Sequence, residues 1–221
     1  MDKKYPSISF KNRINSVKKE AGKIGQLAIE THKEAITLIE NYDENIAKDV
    51  IERGKQIDEA VFNLERMCIR FMAVEQPLAG DLMFIESTIR ISSHIKRIGY
   101  LASNIADTSK FITDIKPPER LMEDLQYMAD YVQMMLSKGI HSFLDQNLDT
   151  AKELRKDDDK VDDLFDSVLN QVTDAMFKDK ESITSLINLV FIARFLERIG
   201  DRSVDIGSRT IFMLTLKKPK P

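Results

Sequence analysis

The sequence predicts an all-α protein built from two tandem three-helix bundles, with six long helices in all. Its six prolines fall only near the chain ends and at two junctions, which leaves long stretches free of helix breakers. Apolar residues recur at helical spacing in those stretches. The second half then repeats the pattern of the first. Neither sustained polar–apolar alternation nor an Asn-Gly or Asp-Gly turn occurs, so strands are not expected.

Three helices are predicted before Pro117. The first has a bundle seam with alternating steps of three and four residues, formed by Ile14, Val17, Ala21, Ile24, Ala28, Thr31, Ala35 and Leu38. Polar residues at 41–43 end it. The second helix carries its own face, formed by Val50, Ile57, Val61, Leu64, Cys68 and Phe71. Pro77 and Gly80 mark the next corner, so the third helix is predicted over about 81–115.

The second half repeats this plan. Helix four is predicted over 119–144, helix five from 147–149 to about 177, and helix six from the turn at 178–181 to about 216. Arg-Ile-Gly occurs at 97–99 and again at 198–200, at equivalent places in the third and sixth helices. Such self-similarity predicts an internal repeat with pseudo-twofold symmetry. We therefore divide the chain into repeats at 7–116 and 117–216 and a basic tail at 217–221.

Composition narrows the class of protein. A net charge of −3 and a pI near 5.7 argue against nucleic acid as the main partner. The most apolar stretch, 186–196, is too short to span a bilayer, so membrane contact is expected only through partners. Cys68 is the single cysteine, which excludes an intrachain disulfide and fits a cytoplasmic location. Its place on an apolar seam predicts a core residue.

Five acidic residues in the second half are candidate metal ligands. Glu197, Asp201 and Asp205 follow one another at four-residue steps, so they project from one side of helix six. Asp158 and Asp162 form the same pair on helix five, and Asp158 falls on the apolar seam. A carboxylate on a buried seam must be paired, protonated or bound to metal. The expected cofactor is a metal ion or cluster of iron, zinc, magnesium or manganese.

A solvated acidic face is the alternative for these residues. Cationic side chains that could neutralise it lie close in sequence, namely Arg155, Lys156, Lys160, Arg198 and Arg202. Both interpretations remain open at this point.

The first half retains little of this acidic pattern. Gly54, Lys96, Tyr100 and Asn104 stand where the second half has Asp158, Glu197, Asp201 and Asp205, while Asp58 is kept. We hypothesise that the Lys96 ammonium lies near Asp58 and takes the place of a metal. Metal is accordingly expected in the second repeat only.

Gly99 and Gly200 occupy equivalent helical positions, where glycine costs about 1 kcal/mol relative to alanine. Close packing of a neighbouring helix is the expected reason. Room for a bound ion is the alternative.

Motifs for catalysis are missing, so an enzyme is not expected. None of His32, His94 and His141 follows a glutamate by three residues, as the di-iron bundle motif requires. There is no Gly-x-Ser-x-Gly, no phosphate-binding Gly-x-x-x-x-Gly-Lys and no Cys/His cluster. The three histidines are predicted to be structural or surface residues.

Two segments resemble a known family. Ala-Arg-Phe-Leu-Glu-Arg-Ile-Gly-Asp at 193–201 resembles the repeated Leu-Glu-Arg-Ile-Gly-Asp signature of the PhoU family, and Gln-Pro-Leu-Ala-Gly-Asp-Leu at 76–82 resembles that family's corner between its second and third helices. The resemblance covers nearly the whole chain. It implies a cytoplasmic, often dimeric, negative regulator of phosphate transport. Its implied partners are the ATPase of the high-affinity phosphate importer and, in many bacteria, a sensor histidine kinase.

The resemblance also implies a metal site. An acid followed four residues later by aspartate binds metal clusters in some members, and Asp158 with Asp162 and Glu197 with Asp201 match that motif. The first repeat departs from it at Gly54, Lys96 and Tyr100, and Met83 stands where the family often has arginine. One metal cluster is therefore expected rather than two.

Two other functions stay open. The first is a metal-carboxylate protein, either a store or an enzyme, with Glu197 and Asp201 as working ligands. The second is a helical adaptor unrelated to phosphate.

Overall fold

The computed structural model describes residues 8–114 and 116–217, and every regular element in these ranges is an α-helix. The six helices are α1 (Ile8–Glu40), α2 (Glu44–Glu75), α3 (Ala79–Ser109), α4 (Glu119–Leu144), α5 (Leu148–Lys178) and α6 (Ile183–Thr215). The predicted all-α fold with six long helices is confirmed. Apart from Lys217, the predicted basic tail lies outside the described residues.

Polar side chains start the middle helix of each repeat. The Asp43 carboxylate accepts hydrogen bonds from the backbone N–H groups of Asn45 and Ile46 at the start of α2. The Asn147 side chain does the same for Asp149 and Thr150 at the start of α5. Each cap satisfies donors that lack a partner within the helix, a contribution of about 1 kcal/mol. These starts agree with the predicted helix breaks.

The predicted end of the third helix is wrong. The helix was expected to reach about residue 115, but α3 ends at Ser109. The N–H groups of Phe111 and Ile112 bond to the carbonyls of Thr108 and Ser109, three residues back, so the chain turns more tightly than an α-helix. This turn buries Ile112, which is 7% exposed. Burial of an apolar side chain explains why the turn replaces further helix.

Each repeat packs its three helices against one another, and α3 against α6 and α1 against α4 join the two repeats. One apolar core runs through all six helices. The Nδ1 of His32 in α1, which is fully buried, lies 2.5 Å from the Oε1 of Gln133 in α4. The Gln133 amide also donates to the Ile29 carbonyl at 3.3 Å. This polar bridge satisfies the His32 Nδ1 and the Gln133 amide at the junction, while the His32 Nε2 is buried without a hydrogen-bond partner among the described residues.

Cys68 has no exposed surface, and burial raises the pKa of its thiol to about 12, so the predicted core role is confirmed. Across the described ranges, we find no helix whose apolar stretch is sufficient to cross a bilayer.

Candidate functional site

Helices α5 and α6 bring four of the five predicted ligands onto one surface. The two helices pack along each other. Asp158 and Asp162 lie one turn apart on α5, and Glu197 and Asp201 lie one turn apart on α6. We call these four residues the acidic cluster.

The carboxylates of the acidic cluster raise one another's pKa. The pKa of Asp158 rises to about 6, first because the group is partly buried and then because Asp201, Asp162 and Asp159 are negatively charged. Burial also raises the pKa of Asp201, with a further contribution from Asp162. Like charges held together in partly desolvated surroundings favour proton uptake or a bound cation.

Glu197 carries the clearest sign of a missing partner. Its side chain is only 12% exposed, and its Oε1 accepts a hydrogen bond from Arg194 at 2.6 Å. Its Oε2 is buried without a hydrogen-bond partner among the described residues. Burial and the nearby Asp201 and Asp162 raise the pKa of this carboxyl group, while Arg194 opposes them. An uncompensated buried carboxylate oxygen is costly, and a cation or a proton would compensate it.

The donor chemistry of the acidic cluster fits a hard cation, since all its donors are carboxylate oxygens. As the side chains stand, however, no three His, Cys, Asp or Glu residues within 8–114 and 116–217 are placed to hold one metal ion together. The four carboxylates share a surface without meeting at one point. Metal binding at the second repeat therefore stays a prediction.

Asp205, the fifth predicted ligand, faces different partners. Its Oδ2 lies 2.8 Å from the Arg202 guanidinium and 3.4 Å from the Nδ1 of His94 in α3. It also lines a separate cleft between α3 and α6. The structure places it beside the acidic cluster, near enough to raise the pKa of Asp201, with its charge already balanced by Arg202.

The equivalent surface of the first repeat holds an ion pair. The Lys96 Nζ lies 2.6 Å from the Asp58 Oδ1, as we hypothesised from the sequence. At Gly54, the counterpart of Asp158, an added Cβ would lie 2.2 Å from the Ser103 Oγ and 3.1 Å from the Gly99 carbonyl oxygen. Helices α2 and α3 thus approach too closely here for a side chain without some shift. In the first repeat, the Lys96 ammonium and the close approach of α2 to α3 at Gly54 occupy the position that the acidic cluster has in the second repeat.

The two equivalent glycines differ in their surroundings. A Cβ at Gly99 would lie 3.0 Å from the Ile57 Cδ1, so close packing is confirmed there. A Cβ at Gly200 would lie 3.6 Å from the Val161 Cγ1 and 3.9 Å from the Asp158 Oδ1, which are ordinary contact distances. Packing alone therefore does not require glycine at 200, and a role in keeping space beside Asp158 remains a prediction.

The family model for the PhoU domain matches this chain twice, over residues 22–109 and 125–210. The chain belongs to the PhoU family. The two matches cover the two groups of three helices, so the internal repeat is confirmed.

Relatives with PhoU names match over most of their length. The phosphate-specific transport system accessory protein PhoU homolog 1 of Methanothermobacter thermautotrophicus is 56% identical over 219 residues, 99% of this chain and 100% of the relative. The Escherichia coli phosphate-specific transport system accessory protein PhoU is 29% identical over 205 residues, 92% of this chain and 84% of that protein. The crystal structure of PhoU from Pseudomonas aeruginosa superimposes with a TM-score of 0.89 at 25% identity, covering 94% of this chain and 100% of that chain.

Sequence reasoning missed one feature of this PhoU chain. This feature is the α3–α6 cleft, which His94, predicted to be a structural or surface residue, lines together with Arg90 and Arg209. These residues come from different repeats, so no local motif connects them. The only sequence signal for the cleft was the Arg-Ile-Gly motif shared by the third and sixth helices. The structure shows that these two helices pack together across the junction.

Proposed function

We propose that the protein is a negative regulator of high-affinity phosphate uptake and phosphate-responsive signalling, which acts in the cytoplasm by binding the importer ATPase. The observation that carries the proposal is 56% identity, over almost all of both chains, to a relative named as a phosphate-specific transport system accessory protein. A sensor histidine kinase is a second proposed partner. The protein is proposed to work by binding rather than by catalysis, and to do so as a homodimer.

An exposed apolar stripe on α2 supports a binding role. Phe62 and Ile69 are each 58% exposed, and they lie seven residues apart, so they project from the same side of the helix. Arg66 lies between them, with its guanidinium 5.7 Å from the centre of the Phe62 ring. Aromatic, apolar and arginine side chains of this kind dominate the energetics of protein interfaces. We assign this stripe to the ATPase contact.

The proposal is tested by capture of the tagged protein from cells grown with ample phosphate. The amount of importer ATPase recovered is measured by quantitative mass spectrometry. The double variant Phe62→Ser/Ile69→Ser is expected to lower that amount at least about tenfold, the effect of losing an interface hot spot. Phe177→Ser removes a phenylalanine that is 81% exposed at the end of α5, and it serves as the matched control with unchanged recovery.

Failure to capture the ATPase, when the extract contains it, would contradict the proposed partner. If expression of the protein and the set of captured partners do not change with phosphate supply, the result would favour a helical adaptor unrelated to phosphate. The mass of the purified protein in solution, measured by light scattering, tests the homodimer separately.

Metal binding is a second proposed property, favoured by the buried Glu197 Oε2. We propose that the acidic cluster holds a divalent cation, and its oxygen donors suit magnesium or manganese better than zinc. Metal content by mass spectrometry is expected to fall in Asp201→Ala and to be unchanged in Asp163→Asn, an exposed acid on α5. Redox or hydrolytic turnover that Asp201→Ala abolishes would instead support the metal store or enzyme.

A further inference from the structure

A cleft between the two repeats gathers cationic and hydroxyl side chains. It has a volume of about 590 Å³ and lies where α3 packs against α6. Arg90, Ser93 and His94 line it from α3, and Asp205, Ser208, Arg209 and Phe212 line it from α6. This volume is in the range of small-molecule sites.

Contacts with the Glu86 carboxylate orient both arginines of the cleft. The Arg209 guanidinium contacts the Glu86 carboxylate, donates from Nε to the Ser87 Oγ at 3.2 Å, and lies 4.6 Å from the centre of the Phe212 ring. Its side chain is only 17% exposed. Arg90 also donates from its Nε to Glu86. Since a guanidinium has five N–H donors, these contacts leave several donors of each arginine for a ligand.

The acidic groups beside the cleft are already balanced. Glu86 lies between Arg90 and Arg209, and Asp205 is paired with Arg202 and faces His94. Three arginines against two carboxylates leave one net positive charge. Burial lowers the pKa of His94, and Arg202 lowers it further while Asp205 opposes them, so the positive charge at neutral pH comes from the arginines.

The cationic set occurs only once in the repeat structure. The alignment of 97–99 with 198–200 pairs Arg90 with Phe191, His94 with Phe195, and Thr108 with Arg209. The pseudo-symmetric surface thus has two phenylalanines and a threonine at these positions, with Arg194 in place of Ser93. Repeat packing does not require the pair of arginines, because the equivalent surface is built with a single arginine.

We propose that this cleft binds a phosphate group, either inorganic phosphate or the phosphate of a nucleotide, through Arg90 and Arg209 with Ser93 and Ser208 as additional hydrogen-bond donors. Guanidinium groups match phosphate oxygens with two parallel charge-assisted hydrogen bonds. Because one helix of each repeat forms the cleft, a bound phosphate group bridges the repeats. The proposal goes beyond the regulatory function and does not depend on which protein partner is bound.

Calorimetric titration of the full chain tests this proposal, with inorganic phosphate in one series and ATP in another. Saturable binding is expected for at least one of them, weakened about 10- to 100-fold by Arg90→Gln, the loss of one charge-assisted interaction. Arg90 is 63% exposed, so this variant is expected to fold, as circular dichroism would show. Arg209→Gln is expected to weaken binding similarly. Arg120→Gln, at an exposed arginine at the start of α4, makes the same charge change outside the cleft and is expected to have no effect.

The relative affinities identify the source of the phosphate group. Tighter binding of ATP than of inorganic phosphate assigns the cleft to a nucleotide, and the reverse assigns it to the free ion. No saturable binding of either up to about 10 mM, or equal affinity in wild type and both cleft variants, would overturn the proposal. Either result leaves the capture of the importer ATPase as an independent test of the regulatory function.

Discussion

Neutralising Asp158 should stabilise the metal-free protein at pH 8. Partial burial and three neighbouring carboxylates raise the pKa of Asp158 from its ordinary 3.8 to about 6 in the folded state. The folded protein therefore binds this proton more tightly than the unfolded chain does, and its stability falls as the pH rises from about 4 through 6. The full difference in pKa between the folded and unfolded states corresponds to about 3 kcal/mol in the free energy of unfolding. Solvent screening of this partly exposed group reduces the figure to about 1–2 kcal/mol.

Urea denaturation of Asp158→Asn and wild type, with EDTA present, measures this difference. At pH 8 the variant is expected to be more stable by about 1–2 kcal/mol. The difference should shrink towards zero at about pH 3, because Asp158 is then largely protonated in both the folded and the unfolded state. Asp163→Asn, an exposed position on the same helix, is expected to match wild type at both values. Equal or lower stability of Asp158→Asn at pH 8 would refute the idea that the acidic cluster is under electrostatic repulsion. In a parallel series without EDTA, addition of manganese should stabilise wild type and not the variant.

Three further predictions concern other positions. Gly207→Ala is expected to destabilise the protein by about 1–3 kcal/mol, because its Cβ would lie 2.6 Å from the Leu154 Cδ1 and 3.0 Å from the Ala151 carbonyl oxygen. Gly200→Ala, whose nearest contact would be an ordinary 3.6 Å, should instead stabilise it by up to about 1 kcal/mol in thermal or urea unfolding. The opposite order would contradict the packing argument. Lys96→Glu should raise the metal-to-protein ratio measured by mass spectrometry, since it removes the cation paired with Asp58, and an unchanged ratio would count against the substitution of metal by Lys96. Burial lowers the pKa of His32 to about 4, so its NMR resonances should stay constant from pH 8 to 5, and a midpoint near 6.5 would show that the residue is accessible to water.

The helices could be predicted because each buries one continuous stripe against its neighbours. Every residue of the predicted seam in α1, from Ile14 to Leu38, is buried. The end of α3 could not be predicted in this way, because Ile112 turns back into the common apolar core and lines a small pocket together with Leu38 and Ile39 of α1. Its burial depends on tertiary structure, and the local sequence shows only that Pro117 must end the helix before it.

The acidic cluster was predictable in part for the same reason. Four-residue spacing places Asp158 with Asp162 and Glu197 with Asp201 wherever the helices lie. Asp205 has one partner that the sequence suggested, Arg202, and one that it could not predict, because His94 lies on a helix of the other repeat. The cleft with Arg90 and Arg209 escaped prediction because its cations meet only when the two repeats pack together.

The rate of phosphate uptake in cells that lack the gene tests the central claim most directly. Uptake of radioactive phosphate is measured in wild-type, deleted and complemented cells grown with ample phosphate. A negative regulator predicts faster uptake in the deleted cells and a return to the wild-type rate when the gene is restored. An unchanged or slower rate in the deleted cells would contradict the account.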